Sequence, residues 1–137
     1  MDIEINRREK EGITILDLKG SLTAGQTVTT LRDALRAHLA QGGQNVILNL
    51  EHVDYIDSTG LGAMVMCFTA LRKSSGRLVL LNLNQRHLEL LVLTKLSTVF
   101  EIFDDEQQAV NSFFPNRQIT RFDILRFIEQ QRRGAED

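Results

Sequence analysis

The stretch that decides the fold is VILNLEHVDYIDSTGLG, residues 46–62. Its first part is apolar and rich in β-branched side chains, which is typical of a strand buried on both faces of a parallel sheet. Residues 57–60, Asp-Ser-Thr-Gly, then supply the small polar side chains with which helices commonly begin. The stretch therefore predicts a buried strand that leads directly into a helix, with polar groups at the turn between them.

Strand and helix patterns alternate on both sides of this stretch. Apolar spacing predicts strands at residues 3–9, 13–18, 78–83 and 99–103, and helices at 28–39 and 85–93, besides the helix that begins near residue 58. A fourth helix is predicted to begin at the acidic residues 104–106, to carry apolar residues between 109 and 114, and to end at Pro115. A hairpin turn at Glu11-Gly12 makes the first strand antiparallel to the second. We therefore expect an α/β fold: a mostly parallel central sheet with an antiparallel N-terminal strand, flanked by about four helices.

Composition excludes several classes of protein. The chain has 137 residues and a net charge of −2, which suits one domain. Sixteen basic residues against 18 acidic ones argue against a nucleic-acid-binding protein. The longest apolar run, near residues 78–81, is far too short to span a bilayer. The N-terminus is charged and has no apolar signal core, so we expect a cytoplasmic protein.

The C-terminal tail is predicted to be a helical extension, residues 116–137, beyond a domain of residues 1–115. Thr120 and Asp123 resemble a capping box and predict a helix from about residue 121 to 132. Its apolar residues cover more than one helix face; they are Phe122, Ile124, Leu125, Phe127 and Ile128. The helix either docks on its own domain or also meets a second chain, as in a homodimer. We prefer the second interpretation, because a helix apolar on several sides must be covered on several sides.

Chemistry is concentrated at residues 57–62. Ser58 follows a buried strand and lies among the free N–H groups that begin a helix, at the sheet edge where functional groups collect. If Ser58 were phosphorylated, these N–H groups and the helix dipole would stabilise an added charge of about −1.5 to −2. Gly60 and Gly62 would let a partner approach the backbone closely. The simpler alternative is that Ser58 or Thr59 only caps the helix, which contributes about 1 kcal/mol.

Three enzyme classes fit the same residues poorly. A hydrolase nucleophile elbow, G-x-S-x-G, needs glycine where Ile56 stands. A phosphate-binding P-loop needs a lysine, and none follows Gly62. A receiver domain with a phosphorylated Asp57 would carry an acidic pair after an early strand, but Lys19-Gly20-Ser21 offers none. We therefore expect no enzyme activity and no catalytic residue.

Metal and cofactor sites are not predicted either. His38, His52 and His87 lie in separate elements without the spacing of metal ligands, and we expect them on the surface or in packing. The single cysteine, Cys67, excludes an internal disulfide and cysteine-cluster zinc sites. Its apolar neighbours predict a buried, inert thiol.

Residues 46–62 resemble the core motif of STAS domains, and most of all that of bacterial anti-sigma-factor antagonists. The likeness continues through residues 76–83 and 93–96 and covers residues 1–114. The resemblance implies a STAS-like fold, in agreement with the pattern of strands and helices.

The resemblance also implies a function. In this family the unphosphorylated antagonist binds an anti-sigma factor, which in many systems is also a serine kinase, and thereby releases a sigma factor. The kinase phosphorylates the serine directly after the motif's aspartate, here Ser58, and a serine phosphatase reverses the reaction. Asp57 would orient the turn or meet the kinase, and Thr59 would cap the helix. The residues implied in partner binding are Thr23, Asp57, Ser58, Thr59, Gly60, Leu61 and Gly62.

Two features depart from the family pattern. Many members carry acidic residues, as in Gly-Glu-Leu-Asp, where this chain reads Gly20-Ser21-Leu22-Thr23, and typical antagonists lack the tail at 116–137. A constitutive STAS interaction module therefore remains the alternative. Such a module would be a subunit of a transport or stress-signalling complex, in which Ser58 serves only as a helix cap.

Overall fold

The computed structural model of the protein describes residues 3–120, 122–124, 126–127 and 129–130. Strands and helices alternate along the chain as the apolar pattern predicts. In chain order they are β1 (Ile3–Lys10), β2 (Ile13–Leu22), α1 (Gln26–Ala40), β3 (Asn45–Ile56), α2 (Ser58–Lys73), β4 (Arg77–Leu81), α3 (Gln85–Leu93), β5 (Glu101–Phe103) and α4 (Glu106–Asn111).

The five strands form one sheet in the order β1-β2-β3-β4-β5. β1 pairs with β2 in the antiparallel sense, and every later pair is parallel, which confirms the predicted α/β fold. Glu11 and Gly12 both have positive φ angles, of 54° and 82°. That combination characterises the tight turn that joins two twisted antiparallel strands, so the predicted hairpin is also confirmed.

Helices cover the two faces of the sheet unequally. α1, α2 and α3 contribute to a large apolar cluster on one face, which we call the helix-side core. α4 covers part of the other face, where a smaller cluster, the α4-side core, contains Ile47, Val79 and Val110 among others. In β3, Leu48 lies in the helix-side core and Ile47 in the α4-side core, so this strand is buried on both faces as predicted.

Several element boundaries differ from the predicted ones. α1 begins at Gln26 rather than at residue 28, and β4 spans Arg77–Leu81 rather than residues 78–83. β2 continues to Leu22, past the loop expected after Gly20, because its pairing with β3 extends to Leu22 and Ile56. β5 begins at Glu101, since residues 96–98 form a 3₁₀ turn. α4 ends at Asn111, four residues before the proline expected to close it. By contrast, α3 occupies residues 85–93, as predicted.

The described part of the tail packs on the domain. Ile124 is buried in the helix-side core, and Phe122 and Phe127 pack against it. The cap is Asp123, whose carboxylate accepts a hydrogen bond from the Arg126 N–H at 3.0 Å, so the prediction of Thr120 as the cap is wrong. Helical residues therefore begin at Ile124 rather than near residue 121.

Parts of the predicted extension lie outside the described residues, namely Leu125, Ile128 and the predicted helix end beyond residue 130. The domain boundary between residues 115 and 116 stays a prediction. Self-association through the tail also stays a prediction. Within the described ranges, no helix is both long enough and apolar enough to cross a membrane.

Candidate functional site

The turn between β3 and α2 is built around Asp57. Asp57 is the N-cap of α2, and its Oδ1 atom accepts a hydrogen bond from the Gly60 N–H at 2.8 Å. This carboxylate satisfies one of the N–H groups left free at the start of the helix. The expectation that Ser58 or Thr59 caps the helix is therefore wrong, whereas Asp57 orients the turn as the resemblance implies.

The loop that follows β2 is hydrogen-bonded to the same carboxylate. The Ala24 N–H donates to Asp57 Oδ2 at 3.1 Å, and the Asp57 N–H donates to the Leu22 carbonyl at 3.2 Å. Thr23 lies between these two contacts, half-buried, with its N–H donating to Thr27 Oγ1 at 3.1 Å. The structure thus brings the loop of Thr23 to the turn that carries Ser58, although 35 positions separate them in the sequence.

Ser58 and Thr59 are exposed at the start of α2. Ser58 is the first residue of this 16-residue helix, and the first turn contains no acidic residue. The helix dipole and the backbone N–H groups of the first turn favour a negative charge at this position. The site could therefore accommodate a phosphate on the Ser58 hydroxyl.

The remaining motif residues divide between the interior and the surface. Gly60 is buried, and a Cβ atom there would lie 1.9 Å from the Leu22 carbonyl oxygen. The absence of a side chain at Gly60 is thus required by the chain's own packing rather than by a partner. Leu61 is 5% exposed and belongs to the helix-side core. Gly62 is exposed, and a Cβ atom there would meet nothing within 4 Å, so it alone of the two glycines offers open backbone.

Asp57 is an anionic group at neutral pH. The Gly60 N–H lowers the pKa of its carboxyl below the ordinary value of 3.8, and the Ala24 N–H lowers it further. Both bonds favour the ionised form. A phosphate on Ser58 would therefore place new negative charge directly beside an existing one, which changes the electrostatic potential of this surface strongly.

We expect Asp57→Ala to lower the free energy of unfolding by about 1 to 2 kcal/mol at pH 7, because it removes the cap and the bond to Ala24. Since the pKa of Asp57 is lowered in the folded protein, its contribution is complete above the ordinary value and is lost as the pH falls through the folded-state value. The difference between wild type and variant should thus be complete at pH 7 and shrink as the pH falls below the ordinary value of 3.8. Urea unfolding at pH 7 and at acidic pH measures it. Asp54→Ala, which changes an exposed acid in β3, is the control.

A neighbouring surface was missed by sequence reasoning. Tyr55 and Leu93 are 55% and 80% exposed and line a groove of about 290 Å³ between the end of β3 and α3. The Arg86 guanidinium lies 5.8 Å from the centre of the Tyr55 ring. The apolar pattern of residues 85–93 predicted a helix, but nothing in that pattern distinguishes the exposed Leu93 from the buried Leu91.

Cys67 and the three histidines are the other candidate chemical groups. Cys67 is 1% exposed, and burial raises the pKa of its thiol to about 12, which confirms a buried, inert cysteine. His38 and His87 are buried, and burial lowers the pKa of both rings, whereas His52 is exposed. In the described ranges, no three His, Cys, Asp or Glu side chains are grouped so that they could hold a metal ion.

Known proteins resemble this chain in both sequence and fold. It is 35% identical over 102 residues to the anti-sigma-B factor antagonist of Listeria monocytogenes, an alignment that covers 74% of this chain and 88% of the relative. An anti-sigma factor antagonist from Mycobacterium paratuberculosis superposes with a TM-score of 0.71 at 19% identity, covering 80% of this chain and 92% of that one.

A further solved structure is that of the Bacillus cell fate determinant SpoIIAA in its phosphorylated form. It has a TM-score of 0.63 at 20% identity, and the superposition covers 80% of this chain and 99% of the other. The sequence profile described as STAS domain matches residues 4–109, which is most of the chain. This chain therefore belongs to the STAS-domain family.

Proposed function

We propose that this protein is an anti-sigma-factor antagonist in a partner-switching pathway. Unphosphorylated, it binds an anti-sigma factor that is also a serine kinase; phosphorylation at Ser58 releases it, and a serine phosphatase restores it. The protein is then a substrate and a switchable ligand, not an enzyme. The anti-sigma-B factor antagonist of L. monocytogenes, with 35% identity, supports this role.

The observation that carries the proposal is the position of Ser58. Its side chain is exposed on the first residue of α2, directly after a cap whose carboxylate is fixed by two backbone N–H groups. A kinase needs a serine hydroxyl that it can reach, and Ser58 is exposed at this turn. A structural neighbour, SpoIIAA, has been solved in a phosphorylated form, which supports phosphorylation in this fold.

The chemistry follows from the surroundings of Ser58. The kinase transfers the γ-phosphoryl group of ATP to Ser58 Oγ, the hydroxyl proton leaves, and ADP is released. The phosphatase hydrolyses the bond between Ser58 Oγ and phosphorus, which regenerates the hydroxyl and releases inorganic phosphate. The dianionic product lies beside the ionised Asp57, so a partner surface that fits one negative charge must now accommodate about three. Repulsion and the desolvation of the added charge then favour dissociation.

We further propose that the contact surface continues along α2. Thr59, Gly62 and Met66 follow at helical spacing and are all exposed, with Met66 at 38%. Exposed methionines adapt to varied partner surfaces. Of the predicted contact residues, Asp57, Ser58, Thr59 and Gly62 lie toward the surface, Thr23 borders it, and Gly60 and Leu61 support it from within.

Met66→Asp should weaken binding to the anti-sigma factor at least tenfold, which corresponds to about 1.4 kcal/mol, because it puts a charge into an apolar contact. Its melting temperature should match that of Ala37→Asp, which changes an exposed helix position in α1. Calorimetric titration of both variants measures the effect. Equal affinity of the two variants for the anti-sigma factor would show that this face of α2 is not part of the interface.

Phosphorylation itself is tested in the host's lysate. We expect incubation of the protein with lysate and ATP to add one phosphate to the tryptic peptide that contains Ser58, as mapped by mass spectrometry. Ser58→Ala should stay unmodified, and Thr59→Ala should be modified to the same extent as wild type. Phosphate on Thr59 in the wild-type protein, or none at all, would contradict the proposal.

A constitutive interaction module is the second candidate, and the exposed groove favours it. Tyr55 and Leu93 offer an apolar surface whose availability does not depend on the state of Ser58. In a module, partners recovered from the lysate would be transport or scaffold proteins. They would be lost with Leu93→Asp and retained with Ser58→Asp, which is the opposite of the result expected for the switch.

A further inference from the structure

The tail passes around the open edge of the sheet. Ile119 packs on the α4-side core, while Phe122, Ile124 and Phe127 pack on or within the helix-side core. Between these positions, the Phe122 N–H donates to the carbonyl of Ile102 in β5 at 3.2 Å. A chain that contacts both faces and the last strand within nine residues must wrap around that strand.

The carbonyl of Ile102 is one that would accept a hydrogen bond from a further strand added beside β5. The Asn82 N–H donates to the Phe103 carbonyl at 3.0 Å, so Phe103 directs its carbonyl toward β4. Because successive carbonyls of a strand point in opposite directions, that of Ile102 points away from the sheet, and it is the one that Phe122 binds. An unpaired edge of this kind is a template for the addition of another strand.

Contacts on both sides of this hydrogen bond hold the segment in place. Before it, the Thr120 N–H donates to Gln108 Oε1 in α4 at 3.0 Å. After it, Ile124 is only 8% exposed, and the rings of Phe122 and Phe127 lie 5.4 Å apart. The segment is therefore anchored on α4, on the strand edge and in the helix-side core.

We propose that the outer edge of β5 and the adjoining part of the helix-side core form a surface that accepts a further chain segment. This chain fills the surface with its own residues 119, 120, 122–124, 126 and 127, here called the strap. The surface fits a segment that donates one N–H to the Ile102 carbonyl, packs a phenylalanine against the helix-side core and, two residues later, buries an isoleucine at the start of a helical turn. The strap closes the edge in the same molecule and so prevents a second chain from pairing there. It lies beyond residue 109, where the match to the STAS-domain profile ends.

The strap is tested by opening it in the full-length chain. Ile124→Asp places a carboxylate in the helix-side core and should release the strap, whereas Gln130→Asp adds the same group at an exposed position and should leave it docked. The probe is a fluorescent peptide of residues 116–130. Its anisotropy should show binding to Ile124→Asp at least tenfold tighter than to wild type or Gln130→Asp. Equal binding to all three chains would overturn the proposal.

A second measurement does not depend on any variant. Hydrogen exchange of the wild-type protein should show the Phe122 amide protected and the amide of Gln118, an exposed residue outside any helix or strand, exchanging freely. Circular dichroism establishes that Ile124→Asp keeps its sheet and helices. A folded Ile124→Asp chain that fails to bind the peptide, or a Phe122 amide that exchanges as fast as that of Gln118, would show that the strap does not close the edge.

Discussion

Ser58→Asp is expected to lower the amount of anti-sigma factor recovered from the host's lysate at least tenfold relative to wild type. The substitution places a carboxylate on the first residue of α2, beside the ionised Asp57, and so imitates part of the charge of a phosphate. A tenfold loss corresponds to about 1.4 kcal/mol, a modest cost for like charges at an interface. A quantitative pull-down with both proteins as bait, read by mass spectrometry, measures it.

Ser58→Ala completes this experiment. It removes the hydroxyl, leaves the cap on Asp57 intact, and should hold the anti-sigma factor at the wild-type level even after incubation with ATP, while wild type loses it. Because Asp57 and not Ser58 caps α2, Ser58→Ala should leave the stability of the helix unchanged. Retained binding then reflects the missing phosphorylation site and not a change in structure. If Ser58→Asp and wild type retrieve the same partner in equal amounts, the phosphoswitch is wrong and the constitutive module is favoured.

Gly60→Ala is expected to destabilise the fold by about 2 to 4 kcal/mol. The added Cβ would lie 1.9 Å from the carbonyl oxygen and 2.6 Å from the carbonyl carbon of Leu22, which are backbone atoms of β2. Neither can move without breaking the bond from the Asp57 N–H to the Leu22 carbonyl. The substitution therefore disturbs the sheet edge and the start of α2 together.

Gly62→Ala provides the matched control, two residues further along the same helix. A Cβ at Gly62 meets nothing within 4 Å, so the substitution should stabilise the protein by up to about 1 kcal/mol through helix propensity. Urea unfolding of the two variants should thus give changes of opposite sign. Equal effects would mean that Gly60 is not packed against β2.

The fold was predictable because its elements have strong apolar periodicity. The residues of β3 alternate between two cores, which produces the continuous apolar run that indicated a parallel sheet. Boundaries were less accurate where pairing between distant segments decides them. β2 continues past Gly20 because β3 pairs with it as far as Ile56. The residues around Gly20 do not by themselves indicate that pairing.

The position of the candidate site in the sequence was predictable, but the hydrogen bonds that build it were not. Asp57, Ser58 and Thr59 are all good N-cap residues, so their order alone could not decide which one caps α2. The decision comes from the sheet: the Asp57 N–H still bonds to Leu22, and the helix can start only after it. The burial of Gly60 against Leu22 depends on the same long-range contact. The groove of Tyr55 and Leu93 likewise joins elements that are distant in sequence.

The tail shows a similar limit. The apolar residues of the tail indicated a segment that must be covered, and Phe122, Ile124 and Phe127 do pack on the domain. Hydropathy does not say whether a second chain also covers the tail. The hydrogen bond from Phe122 to the edge of β5 is a contact between two short segments without periodicity. The three-residue strand β5 could not have indicated that its outer edge would be closed in this way.

The most direct test compares the protein with and without phosphate on Ser58. The anti-sigma factor recovered with the wild-type bait is purified and titrated by calorimetry with unmodified protein and with protein phosphorylated at Ser58. We predict binding of the unmodified protein and at least a tenfold weaker affinity of the phosphorylated one. Equal affinity of the two forms would contradict control of binding by Ser58.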